Sequence, residues 1–311
     1  MAITAMTAYP SPLMKIFLTG ATGFVGSHLT ARLLADGHDV RALVRDPAAA
    51  RAKLGDKVEL IQGDVIDGHG IAGGIVGCDS VVHLVGIIME RRGVTFEMAH
   101  VSSTRNILMS AQAAGVRRWI QMSAVGARRD GISGYQTTKW QAEEMVRNSG
   151  LEFTILRPSI IFGPRDGFVN QMVDVMRTAP LVRPVPGNGR YRFRPVYIDT
   201  VVDCFAQALT SDRAVGKTIE LVGPEELPLE QLLAQIADCV GVRKPAVKVP
   251  MPIMFFNAAL MSVLPKPPVT IDQLRMLREG STADPAPMLA TFKVNPVGFR
   301  EGLNKYLCGR G

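Results

Sequence analysis

The sequence predicts an α/β fold built on a doubly wound parallel sheet, with a small C-terminal lobe, and three observations carry that expectation. Short β-branched apolar runs alternate with helix-period segments through the first half of the 311-residue chain. Strands buried on both faces and joined by helices pair in parallel. A glycine-rich turn, Gly20–Gly26, separates the first apolar run from the first helix. The composition, 47% apolar and 20% charged, is that of a packed globular chain and excludes disorder or a fibrous repeat. The length suits two domain-equivalents, or one large α/β domain with an appendage.

Residues 1–13, MAITAMTAYPSPL, are small, uncharged and carry a Pro-Ser-Pro run. They lack the basic region and apolar core of a signal peptide and the arginines of a mitochondrial presequence, so a disordered tail is expected there. Lys15–Thr19 is the first strand, followed by a helix to about Ala35. Asp39–Val44, Val58–Gln62 and Ser80–Val85 read as strands two to four. Phe96–Ala114 is an expected helix closed by Gly115, where glycine adopts the left-handed cap. Trp119–Ser123 is the fifth strand, Tyr135–Asn148 a helix closed by Gly150, and Phe153–Leu156 the sixth strand.

After Pro158 the alternation loosens under frequent prolines. A helix over Thr200–Leu209, a strand over Thr218–Leu221 and a helix from about Pro228 are the clearest elements. The expected division is a nucleotide-binding core over 14–165 and a lobe over 166–311, with about 196–222 returning to the core. The lobe should lie over the carboxyl edge of the sheet, where ligands bind in such folds. Met251–Leu264, MPIMFFNAALMSVL, is apolar but bracketed by prolines and shorter than the roughly 20 residues that cross a bilayer. A buried or groove-lining helix is the expectation; a helix resting in a membrane interface, with Lys266 beside it, is the alternative.

The net charge of +7 is spread over scattered doublets such as Arg117-Arg118 and Arg128-Arg129, with no aromatic-interleaved basic stripe, which argues against nucleic acid as a partner. The four cysteines are far apart and form no CxxC pair, so reduced thiols in a cytosol-like compartment are expected. The five histidines show no HxH or HxxxH spacing, and no metal site is expected.

Thr19-Gly20-Ala21-Thr22-Gly23-Phe24-Val25-Gly26 follows the first strand and opens the first helix. A turn passing close to a diphosphate needs residues without Cβ, the task of Gly20 and Gly23. Gly26 lets the helix pack on the strand, and the helix N-terminus faces the phosphates. The sheet is therefore expected to be a Rossmann sheet. At the end of strand two, where NAD-selective sites place an acid for the ribose, the chain has Val44, then Arg45 and Asp46. A guanidinium there can pair with a 2′-phosphate, which favours NADP(H) over NAD(H), while Asp46 keeps the NAD(H) alternative open. Asp64 is positioned for an adenine amino group, and Val85-Gly86 supplies the turn beneath the nicotinamide ribose.

Tyr135 and Lys139 are spaced i, i+4, one above the other on a helix face. An ammonium beside a phenol lowers its pKa from about 10, making tyrosine usable as acid or base. Ser123, at the end of strand five, is placed to hydrogen-bond a substrate oxygen. The alternative is that Tyr135 and Lys139 only hold the ribose of a permanently bound nucleotide.

Gly20, Gly23, Gly26, Asp64, Ser123, Tyr135 and Lys139, with Arg157-Pro158 and Gly163-Pro164, resemble the extended and atypical branches of the short-chain dehydrogenase/reductase superfamily. The similarity covers essentially all of residues 14–305. VVHLVGII, the TRN of 104–106, MSAVGA, RPSIIFGP and RPVYID look most like a narrower group. It holds the nucleotide-binding accessory subunit of mitochondrial complex I and its bacterial relatives. The resemblance implies a nucleotide held by Gly20, Thr22, Gly23, Phe24, Val25, Gly26, Arg45, Asp64, Val65, Val85, Gly86, Tyr135, Lys139 and Pro158. It implies catalysis by Ser123, Tyr135 and Lys139, and places Arg165, Asp166 and Tyr191–Arg194 on the substrate side.

The function expected is an NADP(H)-binding oxidoreductase acting on a carbonyl or alcohol group of a small, in one version quinone-like, substrate. The alternatives are a non-catalytic subunit of a respiratory complex or of a quinone-biosynthesis assembly, and a sugar-nucleotide epimerase or dehydratase. The short Ser123–Tyr135 interval argues against the last. A redox sensor of the NmrA-like kind is disfavoured by the intact Tyr135–Lys139 pair. The expected location is cytoplasmic, with peripheral contact to the inner membrane or a respiratory complex.

Overall fold

The computed structural model describes residues 13–91, 93–262, 264, 267 and 269–308; the tail expected over 1–13 lies, except for Leu13, outside the described residues. Seven strands form one sheet: β1 (Lys15–Thr19), β2 (Asp39–Val44), β3 (Glu59–Gln62), β4 (Ser80–His83), β5 (Arg118–Met122), β6 (Glu152–Pro158) and β7 (Lys217–Leu221). Their order is β7-β6-β5-β4-β1-β2-β3 and every neighbouring pair is parallel. Strand order reverses between β1 and β4, so the crevice at their carboxyl ends is the switch point where such sheets bind ligands. Ile16, Phe17 and Leu18 of β1 and Val81 and Val82 of β4 are wholly buried, as a strand covered by helices on both faces requires.

The helix expected over 96–114 is not uniform. It opens as a π-helical segment, Glu97–Ser102, and becomes α-helical only at Ser103–Ala113. The wider turn rotates His100 into the interior, where it is 1% exposed. Such an insertion leaves no mark on apolar periodicity over so few residues.

After β6 the chain also forms the helices Phe168–Thr178, Leu229–Cys239, Met251–Met261, Ile271–Glu279 and Phe299–Tyr306. Three two-stranded pairs knit them together: Ile161–Phe162 with Val196–Tyr197, Arg183–Pro186 with Ala246–Val249, and Arg192–Phe193 with Leu227–Pro228. One apolar core runs from Ile16 in β1 through Phe162 and Phe205 to Phe299 and Leu303. The helix Ile198–Thr210 packs on the helix Phe24–Ala35, and its chain continues into β7.

Two expectations are corrected. Cys239 and Cys308 form a disulfide across 69 residues, their Cα atoms 4.3 Å apart, while Cys78 and Cys204 are free and buried. Separation along the sequence carried no information about the two helix ends that the fold brings together. Met251–Met261 is not a buried helix, for only Met251 and Ala258 are buried, but Ala258 and residues that follow the helix line a cavity. It packs on the helix Ile271–Glu279, and its outer face is not covered by any of the described residues. Among the described residues no helix is long and apolar enough to cross a membrane.

Candidate functional site

Each loop that leaves the carboxyl end of β1 to β6 contributes to one edge of the sheet. Gly20 has φ 77°, and a Cβ there would lie 3.2 Å from the Leu84 carbonyl carbon and Val85 nitrogen at the end of β4. A Cβ on Gly26 would lie 2.1 Å from the Gly20 carbonyl oxygen, an impossible approach to backbone. Gly23 caps the helix Phe24–Ala35 without any side-chain hydrogen bond, leaving the first N–H groups of that helix free. Thr22 and Gly23 are exposed, Phe24 half-buried, and Val25 is buried behind them. This turn, drawn tight against backbone at Gly20 and Gly26 and presenting the free N–H groups of the helix start, fits a dinucleotide diphosphate.

At the end of β2, Val44 is buried and Arg45 is exposed, making no hydrogen bond or ion pair with a described residue. Asp46 is occupied: its side chain accepts from the Ala49 N–H at 3.0 Å and caps the helix Pro47–Leu54. From that helix Lys53 reaches back and donates to the Thr22 carbonyl at 2.5 Å. Its ammonium thus stands on the glycine-rich loop, a second cation that sequence spacing did not reveal. After β3, Asp64 accepts from the Ile66 N–H at 2.9 Å, and Val65 is buried. Asn106 donates to the Val65 and Ile66 carbonyls, each at 3.0 Å, and holds this loop against the sheet.

Ser123 leaves β5, its N–H donating to the Leu156 carbonyl at 2.7 Å. Its hydroxyl is buried and has no hydrogen-bond partner, which is costly for a polar group unless a ligand supplies one. On the helix Gly134–Arg147, opened by Ser133 accepting from the Gln136 N–H, Lys139 is buried and donates to the Met122 carbonyl at 3.2 Å. Met122 directly precedes Ser123, so serine and lysine share one corner of the edge. Val85 is half-buried in the turn after β4. A Cβ on Gly86, the next residue, would lie 2.7 Å from the Lys139 ammonium. Pro158, buried at the end of β6, closes the far side.

Tyr135 is half-buried, its ring edge-on to Phe96 at 6.0 Å and to His100 at 5.4 Å. Burial pushes its phenol up to about 12. Burial likewise pushes Lys139 down to about 8, against a smaller upward pull from Glu143. The lowered phenol expected from the i, i+4 spacing is therefore absent here, because desolvation outweighs any help from the ammonium. His100 was not singled out in the sequence. Its Nε2 lies 3.1 Å from both the amide nitrogen and the carbonyl oxygen of Ile87, and its Nδ1 is hydrogen-bonded with the Thr138 hydroxyl at 2.8 Å. The imidazole thereby joins the loop after β4 to the helix that carries Tyr135 and Lys139.

The lobe closes over the start of that helix. Asp272 accepts from the Gly134 N–H at 3.2 Å, Glu279 accepts from Gln136 at 2.9 Å, and the Ser159 hydroxyl bonds Ser281. Arg194 lies beside this strap, its N–H donating to the Ser281 carbonyl, with two buried guanidinium nitrogens that make no hydrogen bond. Asp166, by contrast, does not line the substrate side. It is buried, accepts from the Val169 N–H at 2.6 Å at the start of the helix Phe168–Thr178, and accepts from the Tyr306 hydroxyl at 2.9 Å. Arg157 is turned away as well, paired with fully buried Glu143 at 2.7 Å.

Residues 20–172 match the model of an NAD(P)H-binding family. The chain is 31% identical over 247 residues to the mitochondrial NADH dehydrogenase (ubiquinone) 1 alpha subcomplex subunit 9 of Arabidopsis thaliana; the match covers 77% of this chain and 61% of that one, so this chain spans only about three fifths of the plant protein. It is 28% identical over 259 residues to a 4-hydroxy-2-methyl-3-oxo-4-farnesyl-3,4-dihydroquinoline-1-oxide ketoreductase of Stigmatella aurantiaca, covering 76% of each. In fold it resembles the UDP-glucose 4-epimerase of Thermotoga maritima, with a TM-score of 0.76 at 21% identity over 94% of this chain and 97% of that one. Residues 20–172 thus form an NAD(P)H-binding domain, and the chain resembles reductase and NADH dehydrogenase relatives in sequence and the epimerases in fold.

Proposed function

We propose that the protein is an NADP(H)-dependent oxidoreductase that reduces a carbonyl group, or oxidises the corresponding alcohol, on a small substrate. The observation that carries this reading is the buried, unpartnered hydroxyl of Ser123 beside the Lys139–Met122 contact. When bound, the nicotinamide supplies or accepts a hydride at the substrate carbon. Ser123 donates a hydrogen bond to the substrate oxygen and polarises it. Tyr135, a neutral phenol at ordinary pH, gives its proton to that oxygen as negative charge develops there, so the carbonyl-reducing direction suits it best. Lys139 holds the ribose hydroxyls and offsets charge on the phenolate left behind. Gly20, Gly23 and the N–H groups at Phe24–Gly26 hold the diphosphate, Asp64 and Val65 the adenine, and Val85, Gly86 and Pro158 flank the nicotinamide.

Preference for NADP(H) over NAD(H) rests on Arg45, exposed and uncommitted, and on Asp46, whose carboxylate is spent on the helix cap. Arg45 pairs with the 2′-phosphate, and Lys53 adds positive charge nearby.

A second reading, favoured by the NADH dehydrogenase relatives, is an accessory or assembly subunit of a membrane respiratory complex that keeps its nucleotide without turnover. The two separate on purified protein. Any bound nucleotide is released and identified, and NADPH oxidation is measured against a panel of carbonyl compounds and quinones. Turnover supports the oxidoreductase. Tight retention without turnover, together with co-purification with a respiratory complex, supports the subunit.

A further inference from the structure

The helix Met251–Met261 takes no part in the nucleotide site and carries no charged residue. Ile253, Phe256 and Leu260 are 51%, 69% and 67% exposed. Their i, i+3, i+7 spacing puts them in one stripe along the helix, and exposed Met261 and Leu264 extend it. Scattered apolar side chains on a surface are ordinary; a continuous stripe of large ones marks a surface that something covers.

The flanking charge says what covers it. Between Asp238 and Asp272 the chain carries Arg243, Lys244, Lys248 and Lys266 and no acidic residue, although it has 28 acids in all. Lys244 donates to the Ala179 carbonyl, and among the described residues of this stretch only Lys248 meets a carboxylate, Glu230 at 3.5 Å. A second copy packed about a two-fold axis would set these cations against themselves. An anionic bilayer offers acyl chains for the stripe and phosphates for the basic flank. At eleven residues, bracketed by Pro250 and Pro265, the helix is too short to cross a bilayer but suited to lie in its surface.

The opposite side of the helix borders a cavity of about 590 Å³. Ala258, Ser262 and Leu264 line its outer side and Phe96 its inner side, and the Phe96 ring packs on Tyr135. We propose that the lobe docks on an anionic lipid surface through Ile253, Phe256 and Leu260, with the cavity mouth at the headgroup level. The docking stands apart from the chemistry assigned to Tyr135 and holds whether or not the site turns over.

Flotation of the full-length chain with vesicles tests it. The protein is expected to float with mixed phosphatidylcholine–phosphatidylglycerol vesicles, much less with phosphatidylcholine alone, and to be released by salt. The double variant Phe256→Glu/Leu260→Glu should lower the bound fraction by about tenfold while keeping the wild-type thermal shift with NADPH. Should that variant not fold, Phe256→Ser/Leu260→Ser serves in its place. No flotation of the wild type, or equal flotation of the variant, overturns the proposal. So does a concentration-dependent dimer that the same substitutions dissolve in the absence of lipid.

Discussion

Lys139 hydrogen-bonds the carbonyl of Met122 at 3.2 Å, fixing an ammonium from the Gly134–Arg147 helix at the end of β5, one residue before Ser123. The contact holds the ammonium where a Cβ on Gly86, in the turn after β4, would lie 2.7 Å from it. It also exposes the ammonium to desolvation that brings it down to about 8.

Gly86→Ala is expected to displace that ammonium. The new Cβ would sit 2.7 Å from Nζ, but the lysine end is flexible and Gly86 is not among the positive-φ residues. Stability should change by less than about 1 kcal/mol, while turnover or nucleotide affinity falls by about tenfold. Chemical denaturation and nucleotide titration of the same preparation separate the two.

Proton loss from Lys139 gives the pH dependence of nucleotide binding. Because the lysine is held near 8 rather than 10.5, its charged form prevails below that value and disappears above it. Affinity for NADPH should decline as pH rises through about 8. A titration flat from pH 7 to 10 would contradict the assigned contact.

Arg45→Ala should weaken NADPH by about ten- to a hundredfold and change NADH by less than about twofold, since only the 2′-phosphate distinguishes them. Equal losses for both cofactors would remove the 2′-phosphate assignment.

Gly26→Ala is expected to abolish the nucleotide cradle, because its Cβ would meet backbone, the Gly20 carbonyl oxygen, at 2.1 Å. The loop or the helix must shift as a unit, at a cost of about 2 kcal/mol or more. The thermal midpoint should fall and the NADPH-induced shift should vanish with it.

Two buried histidines set the acid limit of the fold. Burial, with the charge of Lys139 adding to it, holds His83 near 3 and His100 near 2, so both are neutral in the folded chain. The unfolded chain binds these protons at about 6.5, so stability is complete above that pH and declines as pH falls below it. The loss is about 1 kcal/mol per pH unit for each histidine between pH 6.5 and 5, above the range where ordinary carboxylates titrate. His100→Asn should flatten the decline in a pH series of thermal melts.

The sheet was legible in the sequence because its strands, buried on both faces, announce themselves as short β-branched runs between glycine turns. Lys15–Thr19 and Asp39–Val44 match their predicted bounds, and the other strands shift by one or two residues at their ends. Gly20, Gly23 and Gly26 were legible because close backbone approach leaves glycine no substitute. What escaped depends on contacts distant in sequence. The π-helical turn at Glu97–Ser102 that buries His100, the reach of Lys53 to Thr22 and the Cys239–Cys308 disulfide arise only when separate elements meet. Asp166 was misread for the same reason: nothing in Gly163-Pro164-Arg165-Asp166 announces a partner at Tyr306.

Tyr135→Phe bears on the central claim most directly, measured as NADPH oxidation with a reducible carbonyl substrate alongside NADPH affinity. Removing the proton donor while keeping the ring against Phe96 and His100 should lower turnover by at least about a hundredfold and leave affinity within a few-fold of wild type. Equal turnover in the two proteins, or tight NADPH binding with no turnover in either, would contradict a tyrosine-driven reduction at this site.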